Sequence, residues 1–375
     1  MSFVSEIDSS YLQTLLQRLL AIPSPTGHTD AVVHAVSEEL TALAIPHEFT
    51  LRGAIRATLP GQKKIADRSI VGHLDTLGAM VKGIKKNGRL RVVPIGTWSA
   101  RFAEGARVTV VTETERRIRG TLLPLKASGH VYGDAIDRQK CSWDHLELRL
   151  DERVHNQKET SELGIDVGNV VMIDTCAEFL DNGFINARHL DDKAGVAAIL
   201  AAAKAIQSSS FKGNLPVECH LLFTISEEVG AGASDILYGD VSELVSVDNG
   251  TIAPGQNTSD YGVTLVMQDA SGPFDWHLTR KLIQLCQEHN ILFSRDIFTH
   301  YRTDAASAIE AGNDIRAALI CFALDSSHGY ERTHIDSLLA LSHLLFEYIK
   351  SPPLFHKETN CSGLREMFIP EEVRG

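Results

Sequence analysis

Between residues 77 and 184 this chain of 375 residues loses helical periodicity almost completely, whereas both flanks keep it. Short β-type runs at 90–95, 107–112, 117–123 and 170–173 alternate there with Gly, Asn and Asp turns, the pattern of a small all-β unit. The flanks read as α/β. Residues 9–43 give helix, turn, helix, broken at I-P-S-P-T-G-H (22–28), where Ser24 and Thr26 are the expected cap donors. Strands are expected at 47–51, 54–59 and 69–75. After the β unit come an Ala-rich helix over 191–208 and strands over 217–226, 244–248, 262–267, 291–293 and 316–322. Helices are expected over 275–290 and 335–349. Neither flank completes a sheet alone, so one α/β domain interrupted by a β insertion is the simplest organisation. The expected division is 1–76 with 185–351 as the discontinuous α/β domain, 77–184 as the insertion and 352–375 as an irregular tail. The polar stretch 138–160 is expected to include a mobile loop.

The totals narrow the function classes. A formal net charge of −12 argues against nucleic acid or an anionic membrane as partner. No apolar run approaches the roughly 18 to 20 residues needed to span a bilayer, and no secretory signal is visible at the start. Six scattered cysteines (141, 176, 219, 286, 321, 361) form no C-x-x-C, which fits reduced thiols and a cytoplasmic protein. There is no G-x-S-x-G and no phosphate loop.

Chemistry concentrates where strands are expected to end. F-T-I-S-E-E-V-G (223–230) is an apolar run that stops at Glu227 and Glu228, placing paired carboxylates at the carboxyl edge of a sheet, where open α/β sheets bind ligands. Similar positions hold His73 with Asp75, Asp191 with Asp192, Asp248, and His328 or His334. A mixed His/carboxylate set without thiolate suits Zn²⁺ or Co²⁺. Two such ions need a shared carboxylate plus about one His and one carboxylate each, which this chain can supply. Each residue also has a plain reading: a core histidine, a helix cap at Asp191, a turn residue at Asp248, a solvated Glu-Glu pair. The residues by themselves leave both readings open.

Taken in order, V-G-H-L-D-T-L-G (71–78), A-R-H-L-D-D-K-A-G (187–195), S-E-E-V-G (226–230) and V-D-N-G (247–250) resemble the motifs of the dinuclear TET-type aminopeptidases. That family includes glutamyl aminopeptidases and endoglucanase-like peptidases. E-L-G-I-D-V-G-N (162–169), M-Q-D-A-S-G (267–272), R-D-I-F (295–298) and T-D-A (303–305) continue the resemblance, which covers about 9–349. It implies a three-layer α/β/α catalytic domain interrupted by a PDZ-like β domain. It also implies two divalent ions (Zn or Co), short peptide substrates, and a homo-oligomer built from dimers up to a dodecamer. By the resemblance Asp191 matches the bridging carboxylate, in a cis Asp191–Asp192 peptide. His73 and Asp248 complete one ion's ligands, and Glu228 with His328 the other's. Glu227 matches the general base acting on a metal-activated water, and Asp75 the carboxylate that orients the His73 ring.

The chain departs from the pattern in places. Thr76 stands where the family has a glutamate, and T-H-Y-R-T-D-A (299–305) replaces a Gly-rich stretch, so Tyr301 and Arg302 would narrow or charge the pocket. Arg302 is expected to favour substrates bearing a carboxylate or amide. His334, in R-T-H-I-D, competes with His328 as the last ligand. A dinuclear amidase or deacylase acting on a small N-acylated or amidated compound is the alternative function. A β-domain interaction protein with a vestigial site is the non-enzyme alternative, against which Glu227 and Asp191 are both present.

Overall fold

The computed structural model describes residues 6–354 apart from residue 240, with backbone alone at 63–66. Helices α1 (Ser9–Leu20) and α2 (Asp30–Ala42) precede strands β1 (His47–Phe49), β2 (Ile55–Leu59) and β3 (Gly61–His73). Six strands follow: β4 (Gly78–Ile84), β5 (Leu90–Ile95), β6 (Arg107–Val111), β7 (Arg117–Pro124), β8 (Leu146–Leu150) and β9 (Val170–Ile173). Short helices α3 (Ala100–Ala103), α4 (Gly129–Tyr132) and α5 (Gln157–Glu162) lie between them. Next come β10 (Glu178–Phe179), β11 (Phe184–Ala187), α6 (Leu190–Ser208), β12 (Leu215–Thr224) and β13 (Val241–Thr251). The remainder is β14 (Val263–Asp269), β15 (Gly272–Pro273), α7 (Trp276–Glu288), β16 (Phe293–Ile297), α8 (Asp304–Glu310), β17 (Arg316–Leu324), β18 (Glu331–His334) and α9 (Ile335–Lys350).

The main sheet runs β1-β2-β12-β3-β13-β17-β14-β15, with β16 beside β14. Its centre, β12-β3-β13-β17, is parallel and buried on both faces, as its near-continuous apolar runs require. One face (Ile70, Leu221, Phe223, Val245, Ile320) packs on α1, α6, α7 and α9. The other (Val71, Leu222, Leu244, Ala317) is covered by α8 and residues 233–238. The fold is mixed α/β.

Strands β4-β5-β8-β7-β6-β9 close into a barrel with its own core of Val81, Leu90, Val108, Ile118, Leu122, Leu148 and Val171. Closure removes the exposed edges that a six-strand unit would otherwise present. The polar stretch 138–160, expected to include a mobile loop, contains β8 and the start of α5. Leu146, Leu148 and Leu150 point inward at period two, a signal diluted by Glu147 and Arg149 between them.

Ser24 and Thr26 do not cap α2, whose N-cap residue is Thr29. Their turn lies instead against the end of β3, where the Ser24 hydroxyl donates to the Leu74 carbonyl (2.8 Å) and Thr26 to the Asp75 carboxylate (2.7 Å). The strand expected at 291–293 begins at Phe293, because Ile291 N–H donates back to Cys286 O and finishes α7. Of the expected tail, residues from 355 onward lie outside the described residues. Among those described, no helix is long and apolar enough to cross a membrane.

Candidate active site

The carboxyl ends of β3 and β12, the middle of β13, the start of α6 and the turn after β17 converge at one edge of the main sheet. His73 is the last residue of β3, Glu227 and Glu228 follow β12, Asp248 sits within β13, and His328 lies between β17 and β18. The Asp191–Asp192 peptide bond at the start of α6 is cis.

Asp191 stands at the centre of this convergence. Its Oδ1 lies 3.2 Å from His73 Nε2 and its Oδ2 3.5 Å from His328 Nε2. His328 Nε2 is also 3.6 Å from Glu228 Oε2. Ligand-capable atoms of His73, Asp191 and Asp248 lie within 4.8 Å of one another, and so do those of Asp191, Glu228 and His328. One carboxylate thus belongs to two three-residue groups. His334 is elsewhere: its Nε2 lies 3.0 Å from Asn182 O, and its Nδ1 accepts the Asp336 N–H at the start of α9.

Glu227 overlooks the same space, with Oε2 3.8 Å from His73 Nε2. Asp75 is arranged differently from expectation. The His73 Nδ1 bond goes to the Asp75 main-chain oxygen (2.9 Å), and the carboxylate oxygen is 3.7 Å from that nitrogen. The carboxylate accepts instead from the Glu227 N–H (3.1 Å), the Glu228 N–H (3.3 Å) and Thr26. It holds the Glu-Glu turn, and the backbone beside it orients the imidazole.

Four residues with a part in this geometry carried a weaker sequence signal. Glu331, buried, accepts the Leu190 N–H (2.7 Å) and the His328 N–H (3.0 Å), so it ties the start of α6, which bears Asp191, to the turn bearing His328. It stands three residues after His328 in S-S-H-G-Y-E. Asn249 donates to Asp191 Oδ2 (2.8 Å) and Asp248 Oδ1 (3.0 Å), which orients both carboxylates. Asp192 accepts the His73 N–H (3.2 Å), and a Cβ on Gly195 would fall 2.1 Å from its Oδ1. That close approach accounts for the glycine in D-D-K-A-G. Asp304, in T-D-A, accepts from Thr224 (3.1 Å).

So many buried carboxylates raise one another's proton affinity. Burial, then the negative charges of Asp248, Asp304 and Glu228, hold Glu227 well above the usual carboxyl range. Burial pushes Glu228 up to about 8, and Asp304 to about 7. Asp248 rises through burial and Asp191. Burial would raise Asp191 too, but hydrogen bonds from His328 and His73 hold it well below the usual range. Burial opposes the charged form of His328, yet Asp191 and Glu228 raise it to about 10. Only added positive charge lets all these carboxylates ionise together.

The cluster forms the floor of a cavity of about 990 Å³, walled by Val229, Phe298, His300, Tyr301 and Arg302 among others. The half-buried Tyr301 donates its hydroxyl proton to Asn249 O (3.0 Å) and so fixes this wall to β13. Arg302 is paired with Glu310.

Residues 53–344 match the pattern of the M42 glutamyl aminopeptidase family. The chain is 40% identical over 338 residues to YhfE of Bacillus subtilis (strain 168), provisionally named an aminopeptidase, covering 90% of this chain and 97% of that protein. Its fold is similar to that of aminopeptidase APDkam598 from the archaeon Desulfurococcus kamchatkensis (TM-score 0.81, 22% identity, 91% of this chain and 95% of that one). It is also similar to the TET1 peptidase of Pyrococcus horikoshii, described as assembling into a tetrahedron or a large octahedral shell. There the TM-score is 0.78, with 20% identity over 90% of this chain and 99% of that one.

Proposed function

This chain belongs to the M42 glutamyl aminopeptidase family and is a peptidase, and from that premise we propose that it removes N-terminal residues from short peptides with two divalent ions, Zn²⁺ or Co²⁺. The observation that carries the reading is Asp191, whose two oxygens face two separate His/carboxylate groups. The donor set fits such ions: imidazole and carboxylate without thiolate, in a cluster whose carboxylates need added positive charge to ionise together. His73, Asp248 and Asp191 would hold one ion, and Asp191, Glu228 and His328 the other. Bound there, the ions would polarise a water and the scissile carbonyl.

The chain's own groups do the rest. Glu227 is the base: its carboxyl reaches the floor of the cavity and its main-chain N–H is fixed by Asp75. It then passes that proton to the leaving amine. Asp75 positions the Glu-Glu turn and, through its main-chain oxygen, leaves His73 Nε2 facing Asp191. The free amine of a peptide would be drawn to Glu228 and Asp191, which favours removal of a terminal residue over internal cleavage.

Residues 77–184 serve, on this reading, as a PDZ-like assembly and access domain inserted in a catalytic domain made of 1–76 and 185–351. Thr97 in this segment lines the cavity. The chain forms homo-oligomers, dimers or larger assemblies up to a dodecamer. That the fold resembles that of a TET1 peptidase described as assembling into a tetrahedron or a large octahedral shell supports this.

The test is hydrolysis of aminoacyl-p-nitroanilides and short peptides with Zn²⁺ or Co²⁺, beside N-acylated and C-amidated controls. Glu227→Gln is expected to lower kcat on the order of 10³-fold while keeping both metals. Cleavage of N-acylated compounds alone would transfer the reading to a deacylase.

A further inference from the structure

Where α7 ends beside α9, three metal-competent side chains meet away from the cavity. His343 and Glu347 stand four residues apart on α9 and so share one face. His289 is the residue that terminates α7. Glu347 has only 7% of its side chain exposed, and each of its oxygens faces one imidazole. Oε2 lies 3.2 Å from His289 Nε2 and Oε1 3.7 Å from His343 Nε2. The rings are about a third exposed and their centroids 6.3 Å apart. Ligand-capable atoms of all three residues lie within 4.8 Å of one another.

An ionic account covers part of this. Lys350 Nζ lies 2.9 Å from Glu347 Oε1 and rests on the Phe346 ring. It satisfies one carboxylate oxygen but gives no reason for two histidines, from two helices, to turn Nε2 towards the same carboxylate. Two imidazoles and a carboxylate are a three-ligand donor set for Zn²⁺ or its first-row neighbours. The one-third exposure of the rings leaves a route for the ion and room for water at the open positions.

We propose that His289, His343 and Glu347 form a further divalent-metal site, separate from the sheet-edge cluster, that binds Zn²⁺ or Ni²⁺ and ties α7 to α9. Lys350 is the resident cation that the metal displaces. An ion bound only to the folded chain stabilises it by mass action.

The experiment uses the full chain stripped with chelator and dialysed against low micromolar Zn²⁺, with metal counted by atomic emission. Four proteins are compared: wild type, Asp191→Asn, the double variant His289→Ala/His343→Ala, and Lys350→Met. The double variant is expected to hold one Zn²⁺ fewer per subunit with peptidase activity unchanged. Asp191→Asn is expected to keep one, and Ni²⁺ is expected to raise its Tm. Lys350→Met, freed of the competing ammonium, is expected to bind that ion several-fold more tightly. A double variant with the wild-type metal count would overturn the proposal, as would a folded Asp191→Asn that holds none. Retention of every ion by Asp191→Asn would instead sink the dinuclear reading. If the double variant does not fold, His289→Ala alone decides by the same count.

Discussion

The ring of His328 is held from the barrel: its Nδ1 lies 2.8 Å from the main-chain oxygen of Thr97, just past the end of β5. Thr97 is fixed in turn by its neighbour Trp98, whose indole N–H donates to Gly78 O (3.0 Å). The Trp98 oxygen accepts from Trp143 Nε1 (3.2 Å), and the two indoles meet edge to face at 4.9 Å. With Nδ1 turned to that oxygen, Nε2 of His328 faces the carboxylates of Asp191 and Glu228. An insertion with its own core thereby sets the angle of a side chain in the cluster.

Trp143→Phe removes one link of that chain and leaves the ring packing. It is expected to weaken Zn²⁺ binding, measured by chelator competition, roughly tenfold, and to lower kcat with little change in KM. A drop in Tm with metal affinity unchanged would mean that the indole pair only braces the barrel.

Asp191→Asn tests the sharing of one carboxylate between two groups. Both ions are expected to leave the cluster together, whereas Asp248→Asn is expected to remove only the ion beside His73. Metal counts on the two purified variants check this. Loss of a single ion from Asp191→Asn would show that the two groups do not depend on a common oxygen pair.

Glu147 is buried in β8 and pairs with Lys85 (2.6 Å) and Arg89. Burial would raise its carboxyl, but the two cations hold it below its ordinary 4.5. A depressed folded-state value means that the unfolded chain binds the proton more tightly. The stabilisation is therefore fully present above about pH 4.5 and lost as pH falls through the lower folded value. Glu147→Gln is expected to cost about 2 kcal/mol near neutral pH. In urea unfolding the gap from wild type should shrink steadily as pH falls below about 4.5.

Arg302 reaches the cavity wall while paired with Glu310, a contact open to solvent and therefore weak. A substrate carboxylate could compete for it. Arg302→Ala is expected to lower kcat/KM for acidic aminoacyl substrates several-fold relative to apolar ones. Equal losses across the series would remove Arg302 from specificity.

Much of this was legible because burial forces pattern on sequence. The central strands, covered on both faces, read as unbroken apolar runs, and His73, Glu227 and Glu228 stood where those runs stop. His328 and His334 were both plausible from spacing, and only the fold sends His334 to cap α9. Strand β8 escaped because Glu147 and Arg149 alternate with its leucines. Helix α8 escaped because seven residues carry too little periodicity. Glu331 and Asn249 act through hydrogen bonds to backbone and to other carboxylates, and no spacing rule announces such bonds. The resemblance points to Asp75 as a group beside His73, but which of its oxygens meets the ring depends on the turn it makes with Thr26.

Strands β3 and β12 are hydrogen-bonded neighbours, His73 opposite Thr224, with the barrel and α6 between them in the chain. His73 precedes the barrel in the chain, and His328 follows β17. During synthesis the cluster is scattered, and pairings so distant in sequence form slowly. A chain made only as far as β17 thus lacks the side chain that the barrel grips through Thr97, and the cluster closes only once that later turn has joined strands far earlier in the sequence.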